Sequence, residues 1–193
     1  MNKKIPFYFT IDIEDFHFNN LRSLGHSSPT FQEKGLFESY EMIKKIKEKY
    51  LHNRPITFFV SGIIAKNYPD MIKKINDEDN EIACHYHFHD KIFDINIKEF
   101  SKNLDNAIYY IEKATGKKPK GFRAPNFSLK KNNILALKEL DSRFLYDSSL
   151  VTSKSKRYLD YEGFLNNNKT NIKELFIYEM PIFKNYIKIK SGG

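Results

Sequence analysis

The sequence predicts one α/β domain over residues 1–193, with parallel strands joined by helical crossovers and either closed as a barrel or opened as a doubly wound sheet. Three observations predict it. Short apolar runs alternate with stretches of helical spacing along almost the whole chain, the order that parallel strands with helical connections produce. The residues capable of chemistry follow directly after the apolar runs, at the C-terminal strand ends where such folds carry their sites. With 193 residues and 40% hydrophobic content, the chain can bury one substantial core and is too short for two ordinary domains.

Taken in order, Pro6 to Ile13 is an apolar run that ends in acidic residues, as a buried strand does when it delivers carboxylates to a sheet edge. A polar, glycine-containing loop is expected from Asn19 to Gly35, followed by a helix marked by Leu36, Tyr40, Ile43, Ile46 and Tyr50. Ile56 to Val60 is β-branched and aromatic, hence a strand. Ile63 to Ile75 is a helix broken around Pro69. Glu81 to Cys84 is a third strand. Asn96, with Glu99 three residues later, caps a helix carrying Phe100, Leu104, Ile108 and Ile111, and Gly116 closes it. Further strands are expected over Gly121 to Ala124, Arg143 to Tyr146 and Leu175 to Met180, with a helix from Lys131 to Leu140 and a polar loop from Asn166 to Asn171.

The formal charge of +8 raises nucleic acid or an anionic surface as a partner. The lysines, however, are dispersed among Ile and Asn, as in Met42 to Lys49 and Lys130 to Lys138, and the aromatics sit in apolar runs such as Phe7 to Phe9. A solvated surface and a packed core account for both, so neither nucleic acid nor a membrane span is expected. The single cysteine, Cys84, excludes an internal disulfide framework and fits a reducing compartment, with cytoplasm as the expected location. Oligomeric state is not legible.

Three constellations carry chemistry. In Thr10-Ile11-Asp12-Ile13-Glu14-Asp15, three carboxylates within four positions repel unless a cation or a partner compensates them. Asp12 and Glu14 share one face of a strand, whereas Asp15 reaches it only if the chain bends. In His85-Tyr86-His87-Phe88-His89, two imidazoles four residues apart have zinc-ligand spacing. His87 points elsewhere, and Tyr86 and Phe88 are candidates to line the pocket. In Gly121-Phe122-Arg123-Ala124-Pro125-Asn126, a buried Arg123 requires an acidic partner, for which Asp12 or Asp147 would serve.

Together these motifs resemble the NodB-homology polysaccharide deacetylases, carbohydrate esterase family four. Thr57-Phe58-Phe59-Val60-Ser61-Gly62 is similar to the family's second-strand motif, and Tyr146-Asp147-Ser148-Ser149 also matches. The likeness spans residues 7 to 193. The form Asp-Ile-Glu-Asp-Phe further resembles a branch found near exopolysaccharide and surface-glycan biosynthesis genes.

The resemblance implies a distorted (β/α) barrel, here with its C-terminal part expected to be cut short, and one divalent metal, usually zinc. It also implies removal of N-acetyl groups from a sugar or surface polysaccharide. In that reading Asp12 is the base, Arg123 orients it, and Asp147 is a supporting anchor. Pro125 presents the backbone N–H of Asn126 to the oxyanion. His85, His89 and either Glu14 or Asp15 hold the metal, with Glu14 favoured because it shares Asp12's strand face. The family's late histidine, which protonates the leaving amine, has no counterpart after His89. His17 and His87 are the substitutes within the chain, His17 the better placed. The rival expectations are a glycan-binding remnant without turnover and a hydrolase of other non-peptide amides.

Overall fold

The computed structural model describes residues 8–129, 133–152, 169–183 and 187–191. Six parallel strands form one sheet in the order β1-β2-β3-β4-β5-β7. They are β1 (Thr10–Ile13), β2 (Thr57–Val60), β3 (Glu81–Cys84), β4 (Gly121–Phe122), β5 (Tyr146–Asp147) and β7 (Lys173–Glu174). Neighbours in the sheet follow chain order, so the connections wind one way. That is how a barrel wall is built; a doubly wound sheet reverses its strand order. No pairing joins β1 to β7 among the described residues, and the six strands form an open arc.

Register explains why the motifs converge. Ile13 lies opposite Val60, Val60 opposite Cys84, Cys84 opposite Phe122, Phe122 opposite Asp147, and Asp147 opposite Glu174. The residues that follow each strand therefore emerge along one edge of the arc: Glu14-Asp15, Ser61-Gly62, the histidine run, Arg123-Ala124-Pro125 and Ser148-Ser149.

The helices fill the crossovers. α2 (Glu33–Leu51), α3 (Gly62–Asn67), α4 (Pro69–Asp77), α5 (Ile97–Thr115) and α6 (Ile134–Asp141) bury Tyr40, Ile64, Ile72, Ile75, Leu104, Ile111, Leu137 and Leu140 in the same core as Phe58, Val60 and Phe122. Each such side chain contributes about 1.5–3 kcal/mol by leaving water. Pro69 starts α4, where its missing N–H costs nothing. Asn96 accepts from the Glu99 N–H at 3.0 Å, and Gly116, at φ 73°, closes α5. Gly62 allows α3 and α5 to touch, since a Cβ there would lie 2.5 Å from the Ala107 Cα.

The structure corrects several expectations. The segment expected as loop from Asn19 begins inside a helix, α1 (Phe16–Ser23), whose N-terminus is capped by Asp15. Strand pairing in β1 starts only at Thr10; Pro6 and Phe7 lie outside the described residues. β4 stops at Phe122 because Arg123 and Ala124 turn towards the site, and β5 begins at Tyr146 and not at Arg143. The helix expected from Lys131 begins at Ile134, capped by Asn133, with 130–132 outside the described residues. The strand expected to end at Met180 is β8 (Ile177–Phe183), which continues through Pro181 with a register irregularity between Pro181 and Phe183. β8 pairs with β6 (Val151–Thr152) and β9 (Ile187–Ser191) in a small separate sheet. Half of the polar loop expected from Asn166 to Asn171, namely 166–168, lies outside the described residues. Among the described residues no helix is long and apolar enough to cross a membrane.

Candidate metal centre and active site

Glu14, His85 and His89 come together at the strand-end edge, each offering a ligand atom, with these atoms all within 4.8 Å of one another. His89 Nε2 lies 2.9 Å from Glu14 Oε2, an ion pair when the imidazole is protonated. The Asn19 side-chain amide, one turn into α1, donates to the same carboxylate at 2.9 Å.

His85 is buried and oriented from behind. Its Nδ1 is 2.8 Å from the Arg123 carbonyl oxygen, so the proton sits on Nδ1 and the lone pair on Nε2. That Nε2 is buried and has no hydrogen-bond partner. An imidazole with one nitrogen held by a carbonyl and the other bare is arranged as metal-ligating histidines are. Burial lowers the His85 pKa, with Asp12 pulling the other way, so the ring is neutral and its lone pair available. Burial alone would raise the Glu14 pKa. The hydrogen bond and charge of His89, with His85 and Asn19, outweigh it and hold the carboxylate below its ordinary value. Two imidazoles and one carboxylate therefore fit a divalent cation such as zinc.

Asp15 does not join them. Its carboxylate accepts from the Phe18 N–H at 2.8 Å and the Gln32 N–H at 2.6 Å, tying the start of α1 to the segment before α2. Of the two residues considered for the third ligand, the geometry thus brings only Glu14 to the histidines.

Asp12 sits beside this group and is bonded by Arg123 Nη1 at 2.7 Å. The guanidinium is buried, donates through Nε and Nη2 to the Ser148 carbonyl and hydroxyl, and lies 4.0 Å over the Phe59 ring. Arg123 is therefore bonded to Asp12 and not to Asp147, the other acidic partner considered. Asp147 acts one step away: it accepts from the Ser149 hydroxyl, which itself accepts from the Ala124 N–H at 2.8 Å. Its second oxygen faces Glu174 across the β5–β7 pairing. Burial raises the pKa of both acids; the charge and hydrogen bond of Asp147 push Glu174 further up, whereas the hydrogen bonds of Glu174 and Ser149 pull Asp147 partly back.

Pro125 is buried and starts a single 3-10 turn in which Asn126 takes a left-handed conformation, φ 54° and ψ 21°. The Asn126 side chain is exposed, with its Nδ2 3.5 Å from His89 Nδ1. The pocket-lining expectation for Tyr86 is corrected: it is fully buried against Phe100 in the core, because its positive φ of 62° turns it inward. Phe88 lies under the Arg22 guanidinium, which also pairs with Asp90. Neither internal histidine faces Asp12. His17 Nε2 approaches the Thr30 hydroxyl at 3.4 Å, and His87 packs against Tyr110 and Gly62, where burial pushes its pKa down to about 4.

Ser148, Ser149, Asn19 and Glu174 all support the site, and none was assigned a role from sequence. The serines stood in the Tyr146-Asp147-Ser148-Ser149 motif, which could have flagged them. Glu174 had no local signal.

An α/β arc of sequentially wound parallel strands thus carries, at its strand-end edge, a carboxylate and two histidines beside an Arg-held Asp. The sequence model of the family described as polysaccharide deacetylase matches residues 34–145, a span that includes His85, His89, Arg123 and Pro125 and starts after the acidic motif. Over 109 residues the chain is 33% identical to a peptidoglycan deacetylase-like protein of Gibberella zeae, covering 56% of this chain and 32% of that protein. Over 130 residues it is 28% identical to the peptidoglycan deacetylase of Helicobacter pylori, covering 66% and 43%. The chain thus spans from a third to under half the length of these relatives. A solved CE4 family pseudoenzyme from Bacillus anthracis shares the fold, with a TM-score of 0.56 at 19% identity over 89% of this chain and 53% of that one. The chain belongs to the polysaccharide deacetylase family, and its parallel arc is the wall of that family's distorted (β/α) barrel.

Proposed function

We propose that this chain carries the catalytic centre of a metal-dependent hydrolase that removes N-acetyl groups from a glycan. The observation that carries the proposal is the bare, buried Nε2 of His85, with Glu14 and His89 beside it and Asp12 next to them. Peptidoglycan deacetylase relatives support the substrate class.

Glu14, His85 and His89 would hold the metal, zinc by the chemistry of the donor set, which when bound polarises an acetamide carbonyl and eases deprotonation of water. Asp12 takes the proton of the water that attacks the carbonyl carbon. Arg123 fixes the direction of Asp12 through its guanidinium, while its own carbonyl fixes the His85 ring. The N–H of Asn126, carried past the buried Pro125, faces the oxygen on which negative charge develops. As the C–N bond breaks, the leaving nitrogen needs a proton, and the one taken up by Asp12 is the nearest available to return.

The proposal is tested by acetate release from an oligomer of N-acetylglucosamine after zinc loading, with small cyclic amides assayed in parallel. Acetate from the oligomer alone is expected. Hydrolysis of the cyclic amides alone would reassign the substrate, and zinc and oligomer binding without acetate would mark a glycan-binding protein.

A further inference from the structure

Asp147 and Glu174 lie opposite each other in the β5–β7 pairing, and one oxygen of each, Asp147 Oδ2 and Glu174 Oε2, is buried with no hydrogen-bond partner. Two ionised carboxylates repel when they lie side by side away from water, and one shared proton both removes the repulsion and satisfies the two oxygens. Burial and the charge of Asp147 push Glu174 well up, so the proton resides on Glu174 and Asp147 accepts it. Glu174 Oε1 is held from behind by the Leu150 N–H at 3.0 Å. The charged group acting on Asp147 is Arg123, just after β4; Glu174 otherwise meets the backbone of Ser149 and Leu150.

Two serine hydroxyls carry this pairing to the site. Ser149 donates its one hydroxyl proton to Asp147 Oδ1 and turns a lone pair to the Ala124 N–H, which it accepts at 2.8 Å. Ser148 donates to the carbonyl of Leu175, the residue after Glu174, at 2.9 Å and accepts from Arg123 Nη2 at 3.0 Å. The Leu175 N–H closes the set by donating to the Asp147 carbonyl at 2.7 Å. Both relays thus run from β7 to the stretch that carries Arg123, Pro125 and Asn126. Loss of the shared proton places two like charges at their root, and the relief open to the pair, parting of the strands or rotation of Asp147, releases Ser149.

We propose that Glu174 is a positioning residue for the reaction: the proton it shares with Asp147 holds the β5–β7 pairing and, through Ser149, the turn that presents Arg123 and Asn126 to the site. The inference rests on the hydrolase reading above and adds an alkaline limit to it, set far from the metal and from Asp12.

The test follows the Ala124 amide by NMR in the metal-free full chain from about pH 5 to about pH 9, beside acetate release by the zinc-loaded chain over the same range. Wild type, Glu174→Gln and Glu174→Ala are compared, with the Ala136 amide, bonded to the Asn133 side chain, as the control that should not move. In wild type the Ala124 signal is expected to shift in one step, and kcat, with KM unchanged, to fall over the same step. Glu174→Gln keeps a donor to Asp147 at every pH and should abolish both steps. Glu174→Ala should keep zinc and lose about 10²-fold in kcat, the scale of a small misplacement. A wild-type Ala124 signal without a step, the same step retained in Glu174→Gln, or equal losses of kcat in Glu174→Gln and Glu174→Ala would each overturn the inference. Acetate released by none of the three proteins, with the Ala124 step present in wild type and absent in Glu174→Gln, would strike the hydrolase reading and support the linkage.

Discussion

Arg123 and His85 are joined through the backbone: the Arg123 carbonyl accepts from His85 Nδ1 at 2.8 Å, while the guanidinium of the same residue binds Asp12 at 2.7 Å. One residue thus orients a metal-ligand candidate with its main chain and the base candidate with its side chain. The two roles separate on mutation. Arg123→Lys keeps a positive charge and the carbonyl but loses the fork that spans Asp12 and Ser148. It should retain stoichiometric zinc, measured by elemental analysis, while acetate release falls about 10²-fold through misplacement of Asp12. Zinc lost in proportion to activity would make the guanidinium part of the metal site's support.

Glu14 and Asp15 are adjacent in sequence and divided in function. Glu14→Gln should weaken zinc binding roughly 100-fold or more, since a ligand lost costs at least as much as a lost supporting contact. Asp15→Ala removes acceptors from the Phe18 and Gln32 N–H groups and should cost about 2 kcal/mol of stability, read from urea unfolding. Asp15→Ala protein that folds should still bind zinc.

Much of this site was legible in the sequence, for physical reasons that can be named. Asp12, His85, His89 and Arg123 each lie at or shortly after the end of an apolar run, and parallel in-order strands bring such positions to one edge. Asn96 and Gly116 bounded α5 because caps are local chemistry. What could not be read depends on distant partners. α1 was missed because Asn19, Asn20 and Gly25 have loop composition; the cap that makes it a helix also binds Gln32, 17 residues on. The choice of Glu14 over Asp15 follows from that same cap. β7 has two residues and pairs with a strand 27 positions earlier, so no period announces it, and Glu174 went unseen with it.

The Asp147–Glu174 pair gives the protein a pH dependence of definite sign. Burial raises both acids above their ordinary 3.8 and 4.5. A carboxyl raised in the folded state contributes stability that is full below its unfolded pKa and is lost as pH rises through the folded one. Wild type should therefore lose stability upward from those values. Glu174→Gln supplies an amide in place of a proton-dependent donor and should flatten that loss. Urea midpoints at about pH 5 and about pH 8 check this: the variant should gain on wild type at the higher pH. A constant difference would mean that the pair does not share a proton.

Asp12 acting as base beside a metal held by Glu14, His85 and His89 is the proposal on which the other roles depend. It is tested most directly by measuring bound zinc and acetate release together in wild type, Asp12→Asn and His85→Ala, with an N-acetylglucosamine oligomer as substrate. Wild type should hold one zinc and release acetate. Asp12→Asn should hold zinc and lose about 10²–10⁴-fold in rate, because an amide cannot take the proton; His85→Ala should hold none and release none. Acetate released by Asp12→Asn at the wild-type rate, or by His85→Ala without zinc, would contradict the account.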